Sequence, residues 1–436
     1  MKKLLIIIVA AVSLFSGCKK DDGSIFSKSP DERINDALTA YQTQLSGATN
    51  GWKGLIYPKS GGIYTFYFKF NSSNRVQMLS SFDSASAVTM KESSYRLKAV
   101  QQPSLLFDTY SYLHVLADPN PDVSGGPVGA GLQSDFEYYF DSSSADTINL
   151  VGRFNGSKAV LVKATQAEAT AFASGQLANG LLINKIQTYY KRLTIGSTSV
   201  DFYFDPLTRS IKWTDVNGNL MDSTRMSDYF LILGGIGFTR PITVGNQKIS
   251  QITNLSFSTT SQSISATANN VAATIAEVIV PLKVDLNAPS RWWNYAAATD
   301  DYWYSIDGFH VNGVEDAYGV NKLISSGGLP YYFLIYYPRY STTNDLFAPV
   351  FLDEAANSLV VDYGSAPRIP TFTADGRVLF RELGMYGAYP TTGGANASRQ
   401  LLYNSSGFYL VQTSGSTYDM VSSRDGKSWI TWYSSK

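Results

Sequence analysis

Acidic side chains and one histidine cluster around a segment rich in glycine and proline. The stretch runs from residue 108 to residue 137, and the glycine- and proline-rich segment spans residues 119–132. Carboxylate oxygens can bind Ca²⁺, but the spacing matches no EF-hand, and imidazole is a poor calcium ligand. The stretch could hold a metal, form a loop that shapes a binding face, or serve structure alone, since residues 118–121 (Asp-Pro-Asn-Pro) are typical of turns. The side chains concerned are Asp108, His114, Asp118, Asp122, Asp135 and Glu137.

A second group of candidate residues is aromatic and lies in the second half of the chain. Its members are Arg291, Trp292, Trp293, Tyr295, Tyr302 and Trp303. Flat rings beside Arg, Asn and Asp suit sugars, because ring faces stack on the apolar faces of a sugar while its hydroxyl groups find polar partners. Aromatic residues are also enriched in the cores of protein interfaces. Sugar contact, a protein interface and simple core packing therefore remain three alternatives for this group.

Motifs of the common catalytic classes are missing from the sequence. It contains no G-x-S-x-G, no H-E-x-x-H and no P-loop. Its two histidines, His114 and His310, are far apart in the chain, and Cys18 is the single cysteine. We therefore expect no enzymatic activity, no metal and no cofactor. A glycosidase that uses two carboxylates remains open, because such a pair leaves no local motif.

The N-terminus predicts export and lipidation. Lys2 and Lys3 precede an apolar run over residues 4–15, which is shorter than the roughly 18 residues that cross a bilayer but fits a signal peptide. Small residues then precede Cys18, as a lipoprotein signal peptidase requires. We expect a signal peptide over residues 1–17, acylation of Cys18 and a tether over residues 18–28. The acyl chains would anchor the protein to a membrane.

Composition excludes one class of partner and favours a β-rich fold. The chain has 35 basic and 35 acidic residues, so it lacks the basic excess of a nucleic-acid-binding surface. Charged residues make up only 16% of the chain, while aromatic residues reach 14%, with 29 tyrosines. This profile is typical of extracellular proteins built from strands.

The order of predicted elements indicates the fold class. A capping box at Ser29 and Glu32 opens a helix, about eight strands follow between residues 52 and 163, and a second capping box stands at Thr165 and Glu168. This order predicts a mainly β protein, an antiparallel β-barrel or sandwich with a lipocalin-like N-terminal half and a few short helices. We expect an N-terminal domain over residues 29–190 and a second β-rich domain over residues 191–436.

Several short segments resemble one protein family. They are Gly51-Trp52 with residues 61–64, residues 92–96, residues 107–110 with Leu113-His114 and residues 117–119, and residues 134–137. Together with the sequence before Cys18, they are similar to the Bacteroidetes outer-membrane lipoproteins grouped as "domain of unknown function 4302". Residues 20–22 (Lys-Asp-Asp) also resemble the signal that sends such lipoproteins to the outer face of the outer membrane. The resemblance covers most of the chain after the signal peptide and is densest before residue 170.

The resemblance implies a location and partners, and it implies no activity. Proteins of this kind look like accessory members of SusC/SusD-type nutrient import systems. We therefore expect a lipid-anchored protein of the outer membrane that faces the cell exterior and binds glycans or other nutrients. The alternative is a structural or interaction subunit of an outer-membrane complex that has no ligand of its own.

Overall fold

The computed structural model describes residues 28–206, 208–218 and 223–435. Cys18 and the predicted signal peptide lie outside the described residues. In the part of the chain that is described, no helix is both long enough and apolar enough to cross a membrane. The fold consists of two closed β-barrels followed by a large antiparallel sheet, which confirms the mainly β class.

Helix α1 (Pro30–Ser46) opens the described chain, as the sequence predicts. The Ser29 hydroxyl caps the backbone N–H of Glu32, and the Glu32 carboxylate accepts from the backbone N–H of Ser29. The helix packs on the first barrel through Leu45, whose carbonyl accepts a hydrogen bond of 3.0 Å from the Trp52 indole. α1 is therefore fixed to the barrel by its last turn.

The N-terminal barrel contains eight strands, each paired antiparallel with the next, and β8 pairs with β1 to close the ring. Its strands are β1 (Trp52–Tyr57), β2 (Tyr64–Phe70), β3 (Arg75–Ser80), β4 (Lys91–Val100), β5 (Gln102–Phe107), β6 (Glu137–Ser143), β7 (Thr147–Gly152) and β8 (Lys158–Lys163). The closure decides between barrel and sandwich for this half. Inward side chains such as Phe66, Phe68 and Tyr138 are buried and fill the interior.

Short helices interrupt and follow this barrel. Helices α2 (Tyr112–Ala117) and α3 (Pro121–Ser124) lie between β5 and β6. Helix α4 (Gln166–Ala173) starts at the predicted capping box of Thr165. A 3₁₀ helix (Gln176–Lys185) then leads to the next unit.

The second barrel repeats the same topology. Its strands are β9 (Lys191–Ile195), β10 (Thr198–Asp205), β11 (Ser210–Thr214), β12 (Met226–Ile232), β13 (Gly235–Val244), β14 (Gln247–Ser258), β15 (Ser263–Ala268) and β16 (Val271–Glu277). β16 pairs with β9 and closes the ring. Short 3₁₀ turns occur at Ser223–Arg225 and, later, at Val320–Lys322.

Buried contacts join the two barrels. The Arg209 guanidinium reaches from the second barrel to the carbonyl of Ile63 at 3.0 Å and to the hydroxyl of Ser81 at 3.1 Å. It also lies over the ring of Tyr64, 4.0 Å from the centroid. Because Arg209 is buried at 6% exposure, these contacts hold the barrels in one arrangement.

The C-terminal sheet follows helix α5 (Ala288–Thr299). Its strands are β17 (Trp303–Ser305), β18 (His310–Val311), β19 (Tyr331–Tyr337), β20 (Leu346–Asp353), β21 (Ser358–Val360), β22 (Tyr363–Pro367), β23 (Thr371–Phe372), β24 (Arg377–Leu379), β25 (Glu382–Gly387), β26 (Phe408–Ser414), β27 (Thr417–Ser422) and β28 (Ser428–Ser434), with helix α6 (Gly393–Leu402) before β26. The range 191–436 thus contains a closed barrel and a separate sheet of 12 strands.

Candidate ligand-binding groove

A surface groove of about 600 Å³ lies on the N-terminal barrel, beside the segment between α2 and β6 and the turn between β7 and β8. It is lined by Ala117, Gly129, Ala130, Gln133, Ser134, Asp135, Phe136, Glu137, Arg153, Phe154 and Asn155. Its size falls within the roughly 300–1,000 Å³ that is usual for ligand sites. We call it the aromatic groove. It includes Asp135 and Glu137, two of the residues that the sequence singles out.

Turn chemistry shapes the segment beside the groove. Asn120 caps α3 by accepting a hydrogen bond of 3.0 Å from the backbone N–H of Asp122, and Pro121 starts the helix. The segment folds back at Gly131, which has a φ of +56°; a Cβ there would lie 2.7 Å from the carbonyl oxygen of Asp118. Only glycine fits this close approach without strain.

The acidic candidates Asp108 and Asp118 have partners within the protein. Asp108 pairs with Arg96 at 2.6 Å. Asp118 accepts the hydroxyl of Tyr110 at 2.5 Å and the backbone N–H of Asn120 at 3.0 Å. The Tyr110 hydrogen bond is the main reason that the pKa of Asp118 is lowered. These carboxylates thus stabilise the surface around the loop.

Asp135 is buried, and its carboxylate organises the turn between β7 and β8. One oxygen accepts the backbone N–H groups of Phe154 at 2.8 Å and Asn155 at 2.9 Å. The other oxygen accepts the backbone N–H of Ser157 at 3.0 Å and its hydroxyl at 2.6 Å. A side chain at Gly152 would collide with this carboxylate. Asp135 therefore positions the turn that carries Phe154.

His114 forms part of an aromatic stack beside the groove. Its ring lies 4.4 Å from that of Phe136 and 5.6 Å from that of Tyr110, between centroids, at small interplanar angles. The ring nitrogen Nδ1 accepts the backbone N–H of Ser111 at 3.1 Å. Burial lowers the pKa of His114, and the nearby Lys91 ammonium adds to this effect. The imidazole is therefore neutral near pH 7 and behaves as a flat aromatic surface.

Two phenylalanines present their rings at the groove. Phe136 is 37% exposed, and Phe154, in the turn that contains Asn155-Gly156, is 93% exposed. Polar groups surround them: Glu137 is exposed, and the Arg153 guanidinium donates to the Val100 carbonyl at 2.8 Å. The sequence suggests a surface of this kind, with exposed rings beside planar polar groups, as one alternative for residues 291–303. The structure shows it at the aromatic groove instead.

The structure places the aromatic group of residues 291–303 in and beside the core of the C-terminal sheet. Trp292, Trp293 and Trp303 are at most 5% exposed. The Trp303 indole donates to the carbonyl of Trp292 at 3.0 Å, and the Trp293 indole donates to Asp345 at 2.8 Å. Core packing, one of the three alternatives, accounts for these tryptophans, and sugar stacking on their faces does not fit their burial.

The other three members of that group lie nearer the surface. Arg291 pairs with Asp285 at 2.7 Å. Tyr295 is 45% exposed and packs its ring 5.5 Å from that of Trp303, while Tyr302 is half-buried. They flank the buried tryptophans.

The described residues offer no set of side chains that could bind a metal ion. Among these residues, no group of three or more His, Cys, Asp or Glu side chains is arranged to hold a metal ion. The side chains of four candidates, Asp108, His114, Asp118 and Asp135, instead accept hydrogen bonds from neighbouring protein groups. Sequence reasoning identified the segment but missed Phe136, Arg153 and Phe154. The available signal was a phenylalanine directly before the hairpin dipeptide Asn155-Gly156.

The fold also brings together two carboxylates that the sequence did not single out. Asp307 and Glu315 line a pocket of about 190 Å³ in the C-terminal sheet, where His310 contacts Glu315 at 2.7 Å and stacks on Trp429 at 3.6 Å. Burial, followed by the charges of Asp316 and Glu315, raises the pKa of Asp307. The pocket is smaller than usual ligand sites of roughly 300 Å³ or more.

Comparison with known proteins gives one family. A comparison with curated proteins finds no match for the chain. A family model described as "Domain of unknown function (DUF4302)" matches residues 22–269, which include α1, the N-terminal barrel and the second barrel through β15. Since the match covers more than half of the 436 residues, the chain belongs to the DUF4302 family.

Proposed function

We propose that this protein is a lipid-anchored binding protein of the outer-membrane surface that captures saccharides at the aromatic groove. In this proposal, acyl chains on Cys18 hold the protein at the membrane. The groove would deliver saccharide to a SusC/SusD-type importer. The observation that carries the proposal is the pairing of exposed phenylalanine rings with planar polar side chains in one groove of about 600 Å³.

The chemistry of the groove suits a neutral, hydroxyl-rich ligand. The rings of Phe136 and Phe154 can cover the apolar faces of sugar rings, and burying an exposed aromatic side chain contributes roughly 2 kcal/mol. Glu137 accepts hydrogen bonds, and Arg153 and Asn155 carry donors. Both signs of charge are present, so the groove has no strong preference for an ionic ligand.

The interior of the N-terminal barrel offers no competing site. An eight-stranded barrel is just wide enough for its own side chains to fill it. Here Trp52, Phe66, Phe68, Phe107 and Tyr138 occupy the centre and are at most 4% exposed. A ligand of sugar size must therefore bind on the outside of this barrel.

Glycan arrays followed by titration calorimetry test the proposal. The protein should bind at least one saccharide class, and Phe154→Ala should weaken that affinity by about tenfold or more. Phe372→Ala is the control for loss of an exposed phenylalanine outside the groove, because Phe372 is 37% exposed and lies on β23, in the C-terminal sheet. Equal loss in both variants, or no loss with Phe154→Ala, would count against the groove.

A role as an interaction subunit is the second candidate, and one feature favours it. β25 is the last strand of the sheet order, so one of its edges is unpaired. Its Leu383, Met385 and Tyr386 are 42–58% exposed. Exposed edge strands pair readily with a strand from another chain. Absence of saccharide binding, with an importer complex that forms in the wild type and is lost in Met385→Lys, would favour this role over the first.

We further propose that the protein performs no hydrolysis. The pocket of Asp307 and Glu315 is the place to test this, because paired carboxylates are what a glycosidase needs. Polysaccharides that bind on the array should be recovered intact after incubation. Turnover that disappears with Asp307→Asn would overturn the proposal.

A further inference from the structure

A cleft of about 440 Å³ lies between the outer faces of the two barrels. It is lined by residues of β1, β2, β8 and α4 on one side and of β12 and β14 on the other. We call it the interbarrel cleft. Clefts at the junction of two folded units are frequent ligand sites.

The first wall is the outer face of β1 and β8. Leu55 stands opposite Val160 in the strand register, and Lys53 stands opposite Val162. The three aliphatic side chains are half-buried, so they still contact solvent. They form an apolar strip with one ammonium group at its end.

The second wall is the outer face of β12, β13 and β14. Phe230 and Ile232 point outward from β12 and are half-buried. Gly237 pairs with both Phe230 and Gln251 in the register, and a Cβ at Gly237 would lie 2.9 Å from the Phe230 ring. The missing side chain at Gly237 lets the Phe230 ring lie over the strand, so the β12 part of this wall presents an apolar surface.

Polar groups lie at the rim, on the floor and on β14, where Gln251 and Thr253 line the second wall. On the floor, the Thr65 hydroxyl donates to the carbonyl of Leu231 and joins the two barrels. At the rim, Lys53 donates to one oxygen of Glu168 at 2.6 Å, while the other oxygen of Glu168 accepts the backbone N–H of Thr165 at 2.9 Å. Both carboxylate oxygens are thus engaged, whereas an ammonium carries three N–H donors.

We propose that the interbarrel cleft binds a single-chain amphiphile with an anionic head group, such as a long-chain fatty acid. The alkyl chain would lie between the strip of Leu55, Val160 and Val162 and the opposite wall of Phe230 and Ile232. The carboxylate would accept hydrogen bonds from Lys53. The N–H donors of Lys53 that Glu168 does not accept, together with the aliphatic strip and the Phe230 ring, distinguish the cleft from the aromatic groove.

The cleft is formed before a ligand arrives. Arg209 and Thr65 connect the barrels through buried hydrogen bonds, and Tyr67 stacks on Phe172 of α4 at 4.8 Å. The two walls are therefore held at a fixed spacing. A preformed apolar site binds without the cost of ordering its walls.

Displacement of a fluorescent fatty acid by palmitate tests the proposal. The chain expressed from residue 19 retains every residue that the structure describes and carries no acyl chains of its own. Val160→Trp fills the cleft from one wall and Ile232→Trp from the other, and each should weaken palmitate binding by about tenfold or more. Leu359→Trp is the control, because Leu359 is 47% exposed on β21, in the C-terminal sheet, and does not line the cleft.

Two further variants test whether Lys53 binds the head group and whether palmitate binds in the interbarrel cleft and not in the aromatic groove. Lys53→Met should weaken binding of palmitate and leave binding of uncharged hexadecanol unchanged. Phe154→Ala, in the aromatic groove, should leave palmitate binding unchanged. The proposal is overturned if the wild type does not bind palmitate. It is also overturned if Val160→Trp and Ile232→Trp both keep the wild-type melting temperature and both bind palmitate normally. Should Val160→Trp fail to fold, Ile232→Trp alone decides.

Discussion

Asp135 controls the turn that carries Phe154, so a single change of Asp135 to Asn tests how the aromatic groove is built. In the wild type, the two carboxylate oxygens accept three backbone N–H groups and one hydroxyl of residues 154–157. Asparagine replaces one acceptor with an amide NH₂ group, which can only donate. Whichever way the amide is oriented, an NH₂ group then faces a backbone N–H.

The magnitude follows from the contacts that are lost. In the less costly orientation, the amide oxygen keeps Phe154 and Asn155, the hydroxyl of Ser157 turns to accept, and the backbone N–H of Ser157 loses its partner. A hydrogen bond to a charged group contributes roughly 1.5–3 kcal/mol, and a buried donor without an acceptor is penalised further. We expect the opening free energy of the turn to fall by about 3 kcal/mol.

Hydrogen exchange measures this opening directly. A change of about 3 kcal/mol corresponds to roughly 100-fold faster exchange of the amide of Ser157. Asp141→Asn is the matched control, because Asp141 lies exposed on β6. Saccharide affinity should fall together with amide protection, since Phe154 loses its fixed position. Unchanged exchange at residues 154–157 in Asp135→Asn would refute the reasoning.

Three further predictions concern stability and location. Burial lowers the pKa of Lys191 from 10.5 to about 8. Below pH 8 the folded state therefore carries a buried charge, and the cost of that charge to stability disappears as the pH rises to 10.5. Lys191→Met should raise the free energy of unfolding by about 2 kcal/mol near pH 7, and melting curves should show that this gain fades between pH 8 and 10.5. Arg209→Ala should lower the free energy of unfolding by about 2 kcal/mol, because the carbonyl and hydroxyl of Ser81 lose a buried donor. The control is Arg96→Ala, which removes an exposed ion pair and should change the midpoint of denaturant unfolding little. Cys18→Ala should release the protein from membranes or leave the signal peptide uncleaved, and unchanged fractionation with an unchanged mature mass would contradict lipidation.

Large side chains in alternation made the first barrel predictable. Tyr64, Phe66, Phe68 and Phe70 recur at every second position of β2, and the eight strands of this barrel lie between residues 52 and 163, where the sequence predicts about eight. The capping boxes at Ser29 and Thr165 correctly marked helix starts. Local signals were sufficient here because the inward residues are large and apolar while the turns carry glycine and asparagine.

The sequence predicts the region after residue 190 as β-rich but does not predict that it closes into a barrel, because the strands that close it carry small or charged residues. β15 and β16 bury Ala266, Ala268 and Ala273, and β9 begins with the buried Lys191. Alanine has a low strand propensity, and a buried lysine is rare. Without β9 and β16, which pair with each other, closure of this barrel could not be inferred from the sequence.

The candidate site was predicted as a segment and not as a set of residues. The acidic residues pointed to the segment 108–137, and in the fold Asp118 and Asp135 hold turns in place while Asp108 pairs with Arg96. Whether an aromatic ring is exposed depends on tertiary packing, so neither the burial of Trp292 nor the exposure of Phe154 follows from sequence neighbours. Acidic residues such as Asp135, which the sequence singled out, thus position the groove, whereas Phe136 and Phe154, which it did not, form its surface.

The filled barrels determine where ligands can bind. An eight-stranded barrel lined with small side chains can enclose a ligand, but one lined with Trp52, Phe66 and Phe107 becomes a solid core. Binding surfaces must then form where turns project from a barrel or where two barrels meet. The aromatic groove is the first kind of surface, and the interbarrel cleft is the second. Their linings differ in the way this origin predicts: turns supply polar groups and exposed rings, whereas the outer faces of packed strands supply aliphatic walls.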